Sequence, residues 1–291
     1  MKKQYIMAGI TVFLWSTLSA VSKLLINDLS PMTVLFYTSV IASLTLWIIN
    51  LIRSGTKRYQ HYRKKDYLII TGLGFLGLFC YTALYYIGLA TLTSQIACII
   101  NYMWPMLIVL FSCILLKESF TKKKLLAILI SFSGMLLITL QGYQTVSGGN
   151  ISGMGACFLA AICYALYSVL NKKYNYDQWL VLHIAFTVSA VFSGIYCLGT
   201  NTLSLPSFLP FVGMLWIGIF VNAIAYVLWG IALNTGNTAN ISILAYLCPF
   251  LSLVFGRILL NERITFFSLL GLILIIGGVL LQLKKPKEEL S

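Results

Sequence analysis

The side chains suited to binding a small molecule are aromatic or uncharged polar residues set within long apolar stretches. Trp15 and Ser19 lie one helical turn apart, as do Tyr81 and Tyr85. Aromatic faces stack on rings or attract organic cations, and hydroxyl and amide groups bind a zwitterionic head group. Because the pattern recurs along the chain, we predict a binding set composed of Trp15, Ser19, Tyr81, Tyr85, Asn101, Tyr102, Trp104, Tyr164, Asn222, Tyr226 and Tyr246.

Purely structural roles are an alternative explanation for these residues. Aromatic side chains also fill helix interfaces or lie at headgroup level in membranes. An asparagine such as Asn101 or Asn222 also serves as a hydrogen-bonding partner between helices. Convergence favours a cavity, because six of the ten apolar segments defined below carry these groups, whereas segments 2, 5 and 10 are almost purely aliphatic at their centres.

Two prolines are candidate hinges. Proline lacks an N–H and displaces the carbonyl four residues earlier. Pro105 therefore frees the carbonyl of Asn101, and Pro249 frees that of Ala245. Within a membrane such a carbonyl must line a watery cavity or find a neighbouring donor, so the pattern predicts either a hinge beside the cavity or a satisfied kink.

Two lysines are candidate gate residues. Lys23 lies eight residues after Trp15, and Lys172 lies eight residues after Tyr164. In an inverted arrangement they lie near opposite mouths, where they gate the path or attract a carboxylate. The alternative is that both side chains extend to lipid headgroups.

Ionisable residues that would support catalysis are missing from the apolar segments. The seven acidic residues lie in loops, at segment ends or in the tail. His61 lies in a loop and His183 near the start of a segment, and none of the seven cysteines forms a CxxC or Cys/His cluster. We therefore expect no enzyme, no metal, no cofactor and no carboxylate proton relay.

The composition predicts an all-α integral membrane protein. The chain of 291 residues is 59% hydrophobic and 9% charged, whereas soluble domains carry about 25% charged residues. A spanning helix needs about 20 apolar residues. Ten such segments are predicted at 5–26, 32–52, 67–89, 93–116, 124–141, 151–172, 180–200, 208–233, 238–260 and 266–283.

The basic residues predict the orientation. The net charge of +13 is better explained by the membrane than by nucleic acid, because 17 of the 20 Lys and Arg residues fall on one side if the N-terminus is cytoplasmic. Both termini are therefore expected in the cytoplasm, with the helices in the plasma (inner) membrane.

An internal repeat divides the chain. Residues 72–137 match residues 216–281 without a gap, with 20 identities in 66 positions that include Pro105/Pro249 and Glu118/Glu262. With five helices in each half, 1–145 and 146–291, the second repeat must be inverted in the membrane. Inverted repeats are typical of secondary transporters, whose substrate site lies between the halves. One chain supplies both halves, so we expect a functional monomer.

The motifs also resemble a known family. The ten-helix duplicated layout resembles the EamA-type carriers of the drug/metabolite transporter superfamily. The motifs similar to YddG-type aromatic amino-acid exporters are Leu14-Trp15-Ser16-Thr17, Asn101-Tyr102-Met103-Trp104-Pro105 and Asn171-Lys172-Lys173-Tyr174. The second half departs from this pattern, with Leu247-Cys248-Pro249 where a Trp-Pro pair would stand.

The resemblance implies a basket of ten helices around a central cavity and export of amino acids, notably Phe, Tyr and Trp. Some members also pass cationic compounds such as methyl viologen. The expected activity is alternating-access transport of a small molecule with no carboxylate coupling. The alternatives are an organic-cation or quaternary-amine carrier with an aromatic cage and, far less well supported, a membrane assembly protein without transport.

Overall fold

The computed structural model is built from α-helices. It describes residues 2–54, 62–115, 117, 122, 125–126, 129–130, 132–134, 137, 150–174, 176–235, 244 and 247–283. No strand occurs among these residues.

Five helices belong to the first half. They are α1 (Lys2–Asp28), α2 (Pro31–Ser54), α3 (Lys64–Thr91), α4 (Ser94–Asn101) and α5 (Trp104–Leu115). Pro31 is the first residue of α2, a position where its missing N–H costs nothing. Thr93 caps α4, because its Oγ1 accepts a hydrogen bond from the Ile96 N–H at 3.3 Å.

Five helices belong to the second half. Asp177 caps the second of them, with Oδ1 accepting from the N–H groups of Trp179 at 2.9 Å and Leu180 at 3.4 Å. The helix α8 has three successive parts. The bounds are α6 (Ile151–Tyr174), α7 (Gln178–Gly199), α8 (Phe208–Leu215, Trp216–Ile224 and Ala225–Thr235), α9 (Leu247–Leu260) and α10 (Phe266–Leu283).

The helices are long and apolar enough for a membrane protein. Among the described residues, seven helical stretches qualify as membrane spans, with α4 and α5 together forming one of them. Two shorter apolar helices follow, Leu247–Leu260 and Phe266–Gly278. The all-helical membrane architecture is confirmed. Segment 124–141 lies mostly outside the described residues, so the count of ten helices stays a prediction.

Backbone irregularities recur at the spacing of the sequence repeat. Within α3, Phe75–Cys80 form a π-helical segment, and within α8 the segment Trp216–Ile224 does the same. Adding 144 to the first range places it inside the second. Lys117 and Asn261, also 144 apart, both have positive φ, at 57° and 55°. The repeat therefore extends from side-chain identity to backbone conformation.

The two halves interlock through glycines at equivalent positions. A Cβ at Gly74 in α3 would lie 2.6 Å from the Cα of Ala185 in α7. A Cβ at Gly218 in α8 would lie 2.6 Å from the Cβ of Ile41 in α2. Each repeat therefore packs its third helix against the second helix of the other repeat, and glycine permits the approach.

Polar contacts hold α2 of the first repeat against α7 of the second. The Ser39 hydroxyl donates to the Ser189 Oγ at 3.0 Å, and the Ser43 and Thr187 hydroxyls are 2.8 Å apart. Such hydrogen bonds between helices stabilise association where hydrocarbon surrounds the bundle. This seam joins the two repeats through the second helix of each.

Candidate functional site

A cavity of about 50 Å³ lies at the meeting point of α1, α3, α4, α5, α6 and α8. Nine of the eleven described residues that line it belong to the binding set predicted from the sequence. The lining comprises Trp15, Leu18, Ser19, Tyr81, Tyr85, Cys98, Asn101, Tyr102, Trp104, Tyr164 and Tyr226.

One wall of the cavity is an aromatic group centred on Tyr164 of α6. Its ring centroid is 4.9 Å from that of Tyr81 and 5.2 Å from that of Trp104, with the Trp104 ring nearly perpendicular at 74°. Edge-to-face and tilted rings at this separation attract one another. Since Tyr81 and Trp104 come from the first repeat and Tyr164 from the second, the wall joins the halves.

A second aromatic group lies on the α1 and α8 side. The Trp15 ring is 5.2 Å from Tyr226 and 5.3 Å from Trp229 between centroids. Trp15 and Tyr226 line the cavity. Both aromatic groups therefore contribute rings to the same lining.

The polar groups of the cavity are only partly paired. Asn101 Nδ2 donates to the Tyr81 hydroxyl at 3.1 Å. Within the described part of the chain, Asn101 Oδ1 and Trp15 Nε1 are buried without a hydrogen-bond partner. Such atoms are uncommon in folded proteins and are costly unless a ligand or water satisfies them. Ser19 Oγ likewise has no partner among the described residues, so an indole N–H, an amide oxygen and a hydroxyl of the lining remain for a polar ligand.

The break between α4 and α5 at Tyr102–Met103 brings three of the lining residues to the cavity. The helix α4 ends at Asn101, and α5 begins at Trp104. Met103 N–H bonds to the Ile100 carbonyl at 3.1 Å in a tight turn. The sequence predicts a kink within one helix, whereas the structure has a break between two helices. Pro105 is the second residue of α5, where the missing N–H of proline is tolerated because the first turn of a helix has no intrahelical acceptor for it. Asn101, Tyr102 and Trp104 converge on the cavity as a result.

One predicted binding residue, Asn222, is not among the described residues that line the cavity. Its side chain is half-buried. The spacing that aligned Asn222 with Tyr226 assumes a regular α-helix, but Asn222 lies in the π-helical segment of α8, whose wider turns shift the side chains around the axis. Tyr246 lies outside the described residues.

Of the candidate gate and hinge residues, the structure describes the side chains of Lys23 and Pro249. Lys23 Nζ donates to the carbonyls of Leu89 and Ala90, at 2.6 and 3.2 Å, rather than extending to headgroups. Pro249 is buried in α9. Lys172 belongs to α6, but its side chain lies outside the described part of the chain.

Sequence reasoning missed Leu18 and Cys98. Leu18 lies three residues after Trp15, and Cys98 lies three residues before Asn101, so helical spacing placed both on the correct face. Their residue types did not indicate a binding role, because Leu and Cys commonly pack in helix interfaces. Cys98 is only 4% exposed, which matches that appearance.

The cavity is uncharged and small. None of the described lining residues is Asp, Glu, His, Lys or Arg. A volume of about 50 Å³ holds a few water molecules, since one needs about 10–15 Å³ on this measure. The helices around it must separate before a molecule larger than a few waters can enter.

A larger cavity of about 540 Å³ lies between α1, α8 and α9. Its lining is almost entirely apolar, with Phe13, Leu209 and Phe255 among its members and Asp28 at its edge. Such a lining offers few hydrogen-bond partners to a polar ligand. The smaller central cavity is the better candidate site. The described residues contain no group of three potential metal ligands.

An uncharged central cavity between interlocked repeats of an apolar helical bundle is the architecture of a membrane transporter. The chain belongs to the EamA-like transporter family, whose model matches residues 2–140 and 151–283. The family resemblance of the sequence motifs is confirmed, and the protein is a membrane transporter rather than an enzyme.

Similar proteins agree with this assignment. An uncharacterized transporter of Archaeoglobus fulgidus is 26% identical over 98% of this chain and 99% of its own length. The aromatic amino acid exporter YddG of Ancylobacter novellus is 29% identical over 63% of this chain and 64% of its own length. A solved crystal structure superimposes with a TM-score of 0.71 and 20% identity, covering 97% of this chain and 96% of that one.

Proposed function

We propose that the protein exports amino acids, with aromatic amino acids favoured, by alternating access across the plasma membrane. The observation that carries this proposal is the uncharged aromatic cavity with an unpartnered donor and acceptor. An aromatic amino acid combines a ring for the walls with a zwitterionic head for the polar atoms. The name of the Ancylobacter novellus relative agrees with this cargo.

The aromatic walls would bind the cargo side chain. Trp15, Tyr81, Trp104 and Tyr164 come from both repeats, so a ring between them contacts both halves. Each aromatic contact is worth about 0.5–1.5 kcal/mol beyond buried area. A cargo that bridges the halves stabilises a closed intermediate, as alternating access requires.

The polar atoms would bind the head group. Asn101 Oδ1 is an acceptor for the ammonium, and Trp15 Nε1 is a donor for the carboxylate. Ser19 lies one turn from Trp15 and lines the same space. Since no described lining residue is a carboxylate, we propose movement down a gradient or exchange rather than obligatory proton antiport.

We also propose the orientation and the assembly. The distribution of basic residues favours cytoplasmic N- and C-termini. Both repeats in one chain contribute to the cavity, which favours a functional monomer.

A second candidate is an organic cation, such as a quaternary amine. Aromatic rings that line an uncharged space can also bind an organic cation through cation–π contacts. The two candidates differ in the need for a hydrogen-bond donor and acceptor, which a quaternary ammonium group does not use.

Counterflow in proteoliposomes tests the proposal. Vesicles loaded with unlabelled phenylalanine are diluted into labelled phenylalanine, and we expect a transient accumulation of label. Tyrosine and tryptophan in the outer medium should suppress it, whereas choline and methyl viologen should not. Suppression by the cations alone would replace the amino acid with the second candidate, and absence of counterflow with every cargo would contradict both.

The Trp104→Ala variant connects the cargo to the cavity. Loss of one aromatic wall should raise the half-saturating phenylalanine concentration about twofold to tenfold. Trp47→Ala is the matched control, since Trp47 lies on α2, is 46% exposed and does not line the cavity. Equal effects of the two substitutions would show that the cargo does not contact Trp104.

A further inference from the structure

The turn between α3 and α4 brings two helix ends together. The helix α3 ends at Thr91, and α4 begins at Ser94. The last carbonyls of α3 and the first N–H groups of α4 lack partners within their own helices. They therefore need partners from elsewhere.

Lys23 supplies donors to the end of α3. Its ammonium group, from α1, bonds to the Leu89 carbonyl at 2.6 Å and to the Ala90 carbonyl at 3.2 Å. A cation at a helix C-terminus also interacts favourably with the helix dipole.

Glu262 supplies acceptors to the start of α4. Its Oε1 accepts from Ser94 N–H at 2.6 Å, and its Oε2 accepts from Ser94 Oγ at 2.8 Å and Gln95 N–H at 3.1 Å. An anion at a helix N-terminus is stabilised by the dipole and by charge-assisted hydrogen bonds. This carboxylate comes from the second repeat, just after α9.

The turn after α9 fixes the position of Glu262. The helix α9 ends at Leu260, and Asn261 adopts φ of 55°, which reverses the chain. Glu262 N–H then bonds back to the Gly256 carbonyl at 3.2 Å. The Glu262 side chain is directed across to α4 from this turn, close enough to Lys23 for their charges to attract.

The two side chains lie just beyond one end of the cavity. Lys23 is one turn beyond Ser19 on α1, and Ser94 is one turn before Cys98 on α4. Ser19 and Cys98 line the cavity. A cargo leaving by this end must separate α1 and α9 from α3 and α4, and that movement breaks the five hydrogen bonds of Lys23 and Glu262.

We propose that Lys23 and Glu262 are gating residues that clamp the α3–α4 turn and hold this end of the cavity closed, releasing it when the carrier opens to that side. They contact helix ends rather than cargo, so they act through the position of α3 and α4. This proposal rests on the alternating-access part of the proposed function and does not depend on the identity of the cargo.

Accessibility of Cys98 tests the clamp. Cys98 lines the cavity and is 4% exposed, so a membrane-impermeant maleimide reaches it only through an open end. The reagent is applied separately to each face of sealed vesicles, and modification of Cys98 is followed by peptide mass spectrometry. We expect Glu262→Gln to raise the rate about tenfold or more from the clamp side, because a neutral amide forms weaker bonds to the α4 N-terminus.

Glu118→Gln is the matched control, because Glu118 holds the equivalent position in the first repeat. It should not raise modification from the clamp side. Lys23→Met should act like Glu262→Gln. Ser94→Ala, which removes a single hydroxyl bond, should have a smaller effect in the same direction and serves if Glu262→Gln fails to fold.

An unchanged rate from the clamp side in Glu262→Gln and Ser94→Ala would overturn the proposal. Equal increases from both faces would also overturn it, because they indicate general loosening. Labelling requires no cargo, so a failure of phenylalanine counterflow leaves the clamp test intact.

Discussion

The two repeats share a frame but contribute unequally to the cavity. Both contain a π-helical segment in the third helix, a positive φ at the same repeat position and a glycine at the crossing with the opposite repeat. Yet nine of the eleven described lining residues come from the first repeat, and only Tyr164 and Tyr226 come from the second.

The difference follows from substitutions at equivalent positions. Where the first repeat has Asn101 and Trp104, the second has Ala245 and Cys248. Tyr81 likewise corresponds to Ala225. Inverted repeats provide two related conformations for transport, while recognition of an asymmetric cargo requires an asymmetric cavity. Under the proposed function, the shared backbone features serve movement and the divergent side chains serve selectivity.

The largest expected effect tests the shared frame. Gly74→Ala and Gly218→Ala should each lower stability by about 1–3 kcal/mol, because the new methyl group overlaps the facing helix. The measurement is thermal unfolding in detergent. Gly72→Ala is the control, since a Cβ there meets nothing within 4 Å. Destabilisation by only one of the first two substitutions would show that the two crossings are not equivalent.

The second prediction tests the polar part of the cavity. Asn101→Ala should reduce phenylalanine exchange about tenfold or more, since it removes the unpartnered acceptor and a hydrogen bond to a charged head group is worth about 1.5–3 kcal/mol. Asn171→Ala is the control, because the Asn171 amide donates to Gln178 Oε1 at 2.9 Å and does not line the cavity. Exchange at the wild-type rate in Asn101→Ala would contradict the assignment.

The prediction with the smallest expected effect distinguishes the contribution of the Tyr81 ring from that of its hydroxyl group. Tyr81→Phe removes the acceptor of the 3.1 Å bond from Asn101 but keeps the ring that packs against Tyr164. With a net hydrogen-bond contribution of about 0.5–1.5 kcal/mol, we expect exchange to fall no more than about tenfold. Tyr81→Ala should cost more in the same counterflow assay. Equal losses would mean that the hydroxyl, not the ring, accounts for the role of Tyr81.

Much of the candidate cavity was predictable because one principle governs it. In hydrocarbon, polar and amphipathic side chains are placed where they have a partner or a cavity. Trp15, Tyr81, Asn101 and Tyr164 stood out from their aliphatic surroundings for that reason. Leu18 did not, because its residue type is the same as that of the lipid-facing background.

The misplaced residue has a specific cause. The expected alignment of Asn222 with Tyr226 relied on 3.6 residues per turn. The π-helical segment of α8 breaks that period, and no residue within it signals a wider turn. Local sequence predicts regular helices well, whereas such a segment is stabilised by packing against neighbouring helices.

The amino-acid sequence by itself determined the membrane environment, the helical class and the repeat, because each depends on local composition or on comparison of the chain with itself. It also identified most of the residues around the cavity. The tertiary structure alone decided that Lys23 and Glu262 meet at the α3–α4 turn, since these side chains are 239 residues apart. Sequence shows that a charge lies at a helix end, but only packing shows which helix end it satisfies.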